Sequence, residues 1–267
     1  MYGLIVNVTH KWVCVCFRGT IGTTDIGTDR NFVLNHEPYG KCTTEDSKPG
    51  THSGFTDYLF KERDCDSVER PTIDRIIASV DDAFEKNPII TSDYKLYTTG
   101  HSLGGGLANL FAFHVAHKKE MKDEAVKHFP KKITAMTFAA PVIGNICFNK
   151  EYQSLEKKGF LRHVRISNEG DVVPTSNIPF PISLAIKGDS SNFTQNGVNL
   201  FLLPEGKMVT SYRNTKTSYS QMQLNVKNTL NNHLFPEYVK RVNLHENKEV
   251  YKLTVEELYK EAGDFSN

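Results

Sequence analysis

The chain has 267 residues, 39% of them hydrophobic and 24% charged, values that fit a folded globular protein and exclude a disordered or collagen-like one. Lysine plus arginine number 32 against 31 acidic residues, a net charge of +1. That balance lacks the basic excess of a dedicated polyanion binder, so nucleic acid is not an expected partner. No apolar run approaches the ~18 residues of a spanning helix; the best, residues 108–116, is interrupted by His114.

In chain order, residues 2–8 and 12–18 read as two strands around a turn at Thr9-His10-Lys11. Cys14 and Cys16 share one face of the second strand and read as reduced packing residues. The cysteines number five, so at least one thiol is unpaired within the chain; Cys42 and Cys65 lie in polar stretches and are candidates for pairing if the protein is secreted. Residues 20–53 form a long polar stretch rich in Gly, Thr and Asp, the signature of a lid or binding wall. Ile73, Ile76, Ile77, Val80 and Phe84 follow helical spacing and predict an amphipathic helix over 72–86, ended by Asn87-Pro88.

A strand is predicted at 94–99 and a helix from Ser102 to about Lys119, with Leu103, Leu107, Leu110, Phe111 and Val115 inward. Strands follow at 133–140, 163–167 and 198–203. Pro236 suits the first position of a helix reaching about Val242. Thr254 and Glu257 are spaced as a capping box for the last helix. Alternating strands and helices predict an α/β fold with a mostly parallel sheet flanked by helices. No break in composition divides it, so residues 1–267 read as a single domain.

The chemistry concentrates in Gly100-His101-Ser102-Leu103-Gly104, a G-x-S-x-G pattern between a predicted strand and a predicted helix. In that setting a sharp turn exposes the serine hydroxyl, and the helix N-terminus faces developing negative charge. Serine alone is a poor nucleophile and needs a base and an orienting acid. Their chain order in such folds is Ser, acid, His. His233 and His245 are the histidines beyond the later acids; His233, just before the 236–242 helix, is favoured over His245 in a charged tail. Asp171, just past the 163–167 strand, is the favoured acid, because sites collect at the carboxyl ends of parallel strands; Glu169 is its rival. The N–H of Leu103 is one candidate oxyanion donor. Thr20, closing the strand-end segment Phe17-Arg18-Gly19-Thr20, is a candidate for the other. No dense ligand pattern calls for a metal, and none is expected; no other cofactor is expected. His114 and His117 read as packing or surface residues.

These residues resemble the class 3, fungal-type lipases of the α/β-hydrolase fold. Phe17-Arg18-Gly19-Thr20 is similar to that family's oxyanion loop, and His52-Ser53-Gly54-Phe55 to its His-x-Gly-Phe segment. Residues 100–105 resemble its nucleophile elbow, residues 138–145 the following strand end, residues 168–174 its acid loop, and residues 233–238 its histidine segment. At Ala139-Ala140 the family often has Gly-Ser. The resemblance implies Ser102 as nucleophile, His233 as base, Asp171 as orienter, and Thr20 with Leu103 as oxyanion donors. It implies hydrolysis of acylglycerol esters at a membrane or droplet surface. A phospholipase A1 or another esterase with the same machinery is the neighbouring reading; a catalytically silent binding protein is the reading from a different class. Sixteen residues precede Phe17, fewer than the family's usual leading helix and first strand. The domain is therefore expected to lack those elements and to have an in-frame upstream extension. Residues 21–27 are poor in helix formers, which predicts a small or mobile lid and weak interfacial activation.

Overall fold

The computed structural model describes residues 2–19, 34–35, 49–65, 68–175, 194–212, 231–244 and 252–263. The opening hairpin forms as the alternation required: β1 (Tyr2–Asn7) pairs antiparallel with β2 (Trp12–Phe17), from Tyr2 opposite Phe17 to Asn7 opposite Trp12. Lys11 closes the turn at φ 52°. Short strands β3 (Leu34–Asn35) and β4 (Thr51–His52) pair antiparallel. Helix α1 (Ser53–Phe60) follows, then a small hairpin of β5 (Glu62–Cys65) and β6 (Val68–Pro71).

Helix α2 (Thr72–Lys86) buries Ile73, Ile76, Ile77 and Val80, the spacing that predicts it. β7 (Lys95–His101) leads into α3 (Leu103–Glu120), whose residues 104–113 are all buried. β8 (Ile133–Phe138), α4 (Ile146–Lys157), β9 (Leu161–Asn168) and the single turn α5 (Val172–Thr175) come next. β10 (Val198–Leu202) and β11 (Met208–Tyr212) form a second edge hairpin. Helices α6 (Phe235–Leu244) and α7 (Val255–Glu261) complete the described chain. Thr254 and Glu257 make both bonds of the capping box at the start of α7.

One seven-stranded sheet runs β1-β2-β7-β8-β9-β10-β11. The five strands from β2 to β10 are mutually parallel, with an antiparallel strand at each edge. β9 is buried throughout its last six residues: Val164 and Ile166 project to one face, His163, Arg165 and Ser167 to the other, as a strand covered on both faces requires. One apolar cluster joins α1–α4 to β2, β7 and β8 through residues such as Phe17, Ile76, Leu96, Phe111, Phe148 and Tyr152. A second joins Tyr238 of α6 and Leu258 of α7 to Val164, Ile166, Leu200 and Leu202.

Cys14 and Cys147 are buried, Cys16 is half-buried, and all three are free thiols. Burial pushes the Cys14 thiol up to about 12, with Cys16 adding to the rise. Cys42 and the Cys65 side chain lie outside the described residues, as does the candidate lid at 21–27. No described helix is long and apolar enough to cross a membrane.

Candidate active site

The carboxyl end of β7 carries the elbow. Ser102 sits at φ 56°, ψ −124°, a left-handed conformation that costs a non-glycine residue of order 1–3 kcal/mol. Three contacts hold it there. Its N–H donates to the Phe138 carbonyl at 2.9 Å, and its own carbonyl accepts from Gly106 N at 3.1 Å. The chain also crosses itself so closely that a Cβ at Gly100 would overlap the backbone of Gly104 and Gly105, and one at Gly104 would overlap Phe17, Arg18 and Gly19. The two motif glycines thus let the strand, the new helix and the end of β2 meet at one point. Gly19 lies beside the serine: a Cβ built on it would stand 3.9 Å from Ser102 Cβ. Thr20, the next residue, lies outside the described residues.

Ser102 precedes α3 without capping it by its side chain. The first N–H groups of a helix have no partner within it, and the N–H of Leu103 is the first of these, next to the serine.

Asp171, the expected acid, lies in the turn after β9. After Asn168 the chain turns, with Asp171 N–H donating to the Asn168 carbonyl at 3.1 Å. The Asp171 side chain is fully buried. Oδ1 accepts from Val173 N at 3.0 Å, and Oδ2 accepts from the Tyr238 hydroxyl at 2.7 Å. His233 meets the same carboxylate: its Nδ1 lies 3.1 Å from Oδ1 and 3.0 Å from Oδ2. Its Nε2 lies 2.8 Å from Ser102 Oγ. With Nδ1–H donating to the carboxylate, Nε2 carries the lone pair that accepts from the serine hydroxyl. Three side chains spread over 131 residues of sequence form one continuous chain of hydrogen bonds.

The segment that carries His233 is held by its neighbours. Asn168 Nδ2 donates to the Asn232 carbonyl at 3.0 Å, and Arg241 Nη2 donates to Asn232 Oδ1 at 2.7 Å. Arg241 Nη1 also donates to the carbonyls of Glu169 and Leu202, each at 3.1 Å. A buried guanidinium therefore ties the acid loop, β10 and the residue before His233 together, and it helps line a cavity of about 310 Å³ with Glu169, Gly170 and Asn232. Glu169, the rival acid, lines that cavity, and the carboxylate in contact with the His233 ring is that of Asp171. Tyr238, Asn232 and Arg241 were not assigned site roles from the sequence. One signal was present: a tyrosine on the apolar face of a helix beginning at Pro236 must find a partner for its hydroxyl.

His52 of the His-x-Gly-Phe segment serves the frame. Its Nδ1 accepts from Gly54 N at 3.0 Å and caps α1, while Phe55 packs on Gly106 of α3, where a Cβ would stand 2.6 Å from the ring. Burial holds the His52 imidazole down at about 4. Among the described residues one group has ligand atoms close enough together that it could hold a metal ion, Asp81, Glu85 and His128. It belongs to α2 and the turn before β8, elements that contribute nothing to the Ser102 cluster.

The sequence profile described as Lipase (class 3) matches residues 14–180. The chain is 29% identical over 166 residues to phospholipase A1-Igamma2, chloroplastic, of Arabidopsis thaliana, a match covering 61% of this chain and 30% of that protein. It is 39% identical over 82 residues to Lipase ZK262.3 of Caenorhabditis elegans, covering 31% of this chain and 20% of the other. It thus spans about a third or less of the length of these curated relatives. Among solved structures, the Rhizomucor miehei triacylglyceride lipase aligns with a TM-score of 0.57 at 20% identity, over 84% of this chain and 71% of that one. Lip2 lipase of Yarrowia lipolytica gives 0.57 at 22% identity, over 87% and 73%. At such identities the likeness establishes the fold, the α/β-hydrolase fold expected from the sequence.

Proposed function

The chain belongs to the class 3 lipase family, and on that footing we propose that it is a serine carboxylic-ester hydrolase acting on acylglycerols. The observation that carries this reading is the unbroken set of contacts from Ser102 Oγ through His233 to Asp171, at 2.8 and 3.0 Å. In the reaction, His233 Nε2 takes the hydroxyl proton as Ser102 Oγ attacks the ester carbonyl carbon. The resulting oxyanion is held by the N–H of Leu103, with Thr20 as the second donor. Collapse expels the alcohol, which leaves with the proton from His233. Water, deprotonated by the same imidazole, then attacks the acyl-enzyme and releases the fatty acid. Asp171 keeps the ring in the tautomer with the proton on Nδ1 and stabilises the imidazolium.

A phospholipid substrate is the second reading, favoured by the match to a plant phospholipase A1 over 61% of this chain. Both readings use the same three residues and differ in what the loops around them accept. Hydrolysis of a panel of triacyl-, diacyl- and phosphoglycerides, with S102A as control, tests them together. Release of fatty acid from any class by the wild type and not by S102A supports the hydrolase, and the preferred class decides between the readings. Release that persists unchanged in S102A contradicts both.

A further inference from the structure

We propose that His101 is a positioning residue that holds the main chain of His233 in register with Ser102. The proposal rests on the hydrolase reading above for its consequence in turnover. It draws on three contacts that converge on one ring.

The first is a hydrogen bond. His101 Nε2 lies 2.8 Å from the backbone carbonyl of His233. A carbonyl only accepts, so the imidazole has its proton on Nε2 and donates. That carbonyl is not used by α6: the first-turn N–H groups of Glu237 and Tyr238 both go to the Leu234 carbonyl. His101 therefore supplies the donor at the point where the chain passes from His233 into the helix.

The second is a tilted ring–ring contact. The His101 and His233 rings are 5.1 Å apart at 42°. The third is enclosure by α6: Phe235 and Tyr238 each meet the His101 ring edge-on at 5.6 Å. Burial, with the neighbouring His233, holds the His101 imidazole down at about 4. It therefore stays neutral at neutral pH and adds no second positive charge beside the imidazolium that forms on His233.

The consequence follows from chain connectivity. Ser102 is bonded to His101, and His101 grips the main chain of His233. The nucleophile and the base, 131 residues apart, thus share a bridge one residue long, independent of the Ser102–His233 hydrogen bond that the reaction itself rearranges. Losing it removes a neutral hydrogen bond, worth about tenfold at most in an equilibrium, and loosens a geometry whose small errors are costly in rate.

A pair of variants isolates the donor. In H101Q the amide nitrogen stands where Nε2 stood; in H101N it falls one methylene short. Both lose the ring, so their difference reports the hydrogen bond. With a short soluble ester such as p-nitrophenyl butyrate, H101N is expected to lose about tenfold in kcat with KM within about twofold, and H101Q to stay within about threefold of wild type. Equal kcat values in the two variants overturn the proposal. Long-range proton–nitrogen spectra of histidine-labelled protein read the same point without turnover: the His233 ring signals are expected to stay sharp in H101Q and to broaden in H101N. If the wild type hydrolyses no ester but this spectral difference appears, the positioning role stands and the hydrolase reading fails. Identical His233 signals in the two variants overturn the positioning role.

Discussion

The Tyr238 hydroxyl donates to Asp171 Oδ2 at 2.7 Å and accepts from Asn168 N at 3.1 Å. One phenol thus orders the carboxylate that faces His233 and the strand end that carries it. Burial, and then the neighbouring Asp171 carboxylate, push its ionisation well above the usual tyrosine range, so it stays a donor. Y238F leaves a buried oxygen of Asp171 and the N–H of Asn168 each short of a partner. The expected cost is ~1–3 kcal/mol of stability for the unsatisfied groups, with a fall in kcat below tenfold. Urea unfolding and steady-state rates check both; a variant as stable and as fast as wild type contradicts this role.

Asp171 itself has a sharper effect. D171N keeps the shape of the side chain but presents an amide to His233 Nδ1, which favours the wrong imidazole tautomer. A loss of about 10⁴ in kcat is expected, the scale of this change in a Ser-His-Asp triad. E169Q is expected to stay within about threefold, since Glu169 is not among the described partners of His233. Reversal of that order would move the acid role to Glu169.

Arg241 is only 3% exposed and donates to the Glu169 and Leu202 carbonyls and to Asn232 Oδ1. R241M removes a charged donor from four acceptors at once, these three and Glu237 Oε1, which accepts from Arg241 Nε at 3.0 Å. A loss of at least ~1.5–3 kcal/mol is expected, together with slower Ser102 acylation because Asn232 adjoins His233. Thermal unfolding and single-turnover kinetics report the two effects separately.

Acid should destabilise the fold through its buried and half-buried histidines. Burial holds His52 and His101 at about 4, His114 at about 3 and His163 well below the ordinary value. The unfolded chain takes up protons on these rings below about 6.5, and the folded chain does so only near 4 or lower. Stability is therefore fully present above about pH 6.5 and is lost as the pH falls from there toward 4, by up to ~1.4 kcal/mol per pH unit for each such ring. Urea midpoints measured from pH 7.5 to 4.5 should fall steadily; a flat profile contradicts neutral burial.

The sequence made some of this arrangement plain and hid the rest for physical reasons. α2 was legible because its isoleucines recur at helical spacing over a polar face. The elbow was legible because Gly100 and Gly104 are demanded by backbone contact, a constraint that leaves a motif. α4 was missed: its buried face includes Asn149 and Glu156 beside Phe148 and Tyr152, which blurs the apolar period. α1 is capped by His52, a residue outside the usual capping set, and five of the eight residues of β5 and β6 are charged, against strand preference. Asp171 and His233 were reached through the order of residues expected of such folds. Their partners Tyr238, Asn232 and Arg241 were not, because contacts across about 65 residues leave no local pattern.

Activation of Ser102 as a nucleophile is read out by treating the protein with a fluorophosphonate and mapping the adduct by mass spectrometry. A single adduct on Ser102 is expected in the wild type, absent in S102A and formed far more slowly in H233A. An ester-hydrolysing wild type that takes no label at Ser102, or an S102A variant labelled as fully as wild type, would contradict it.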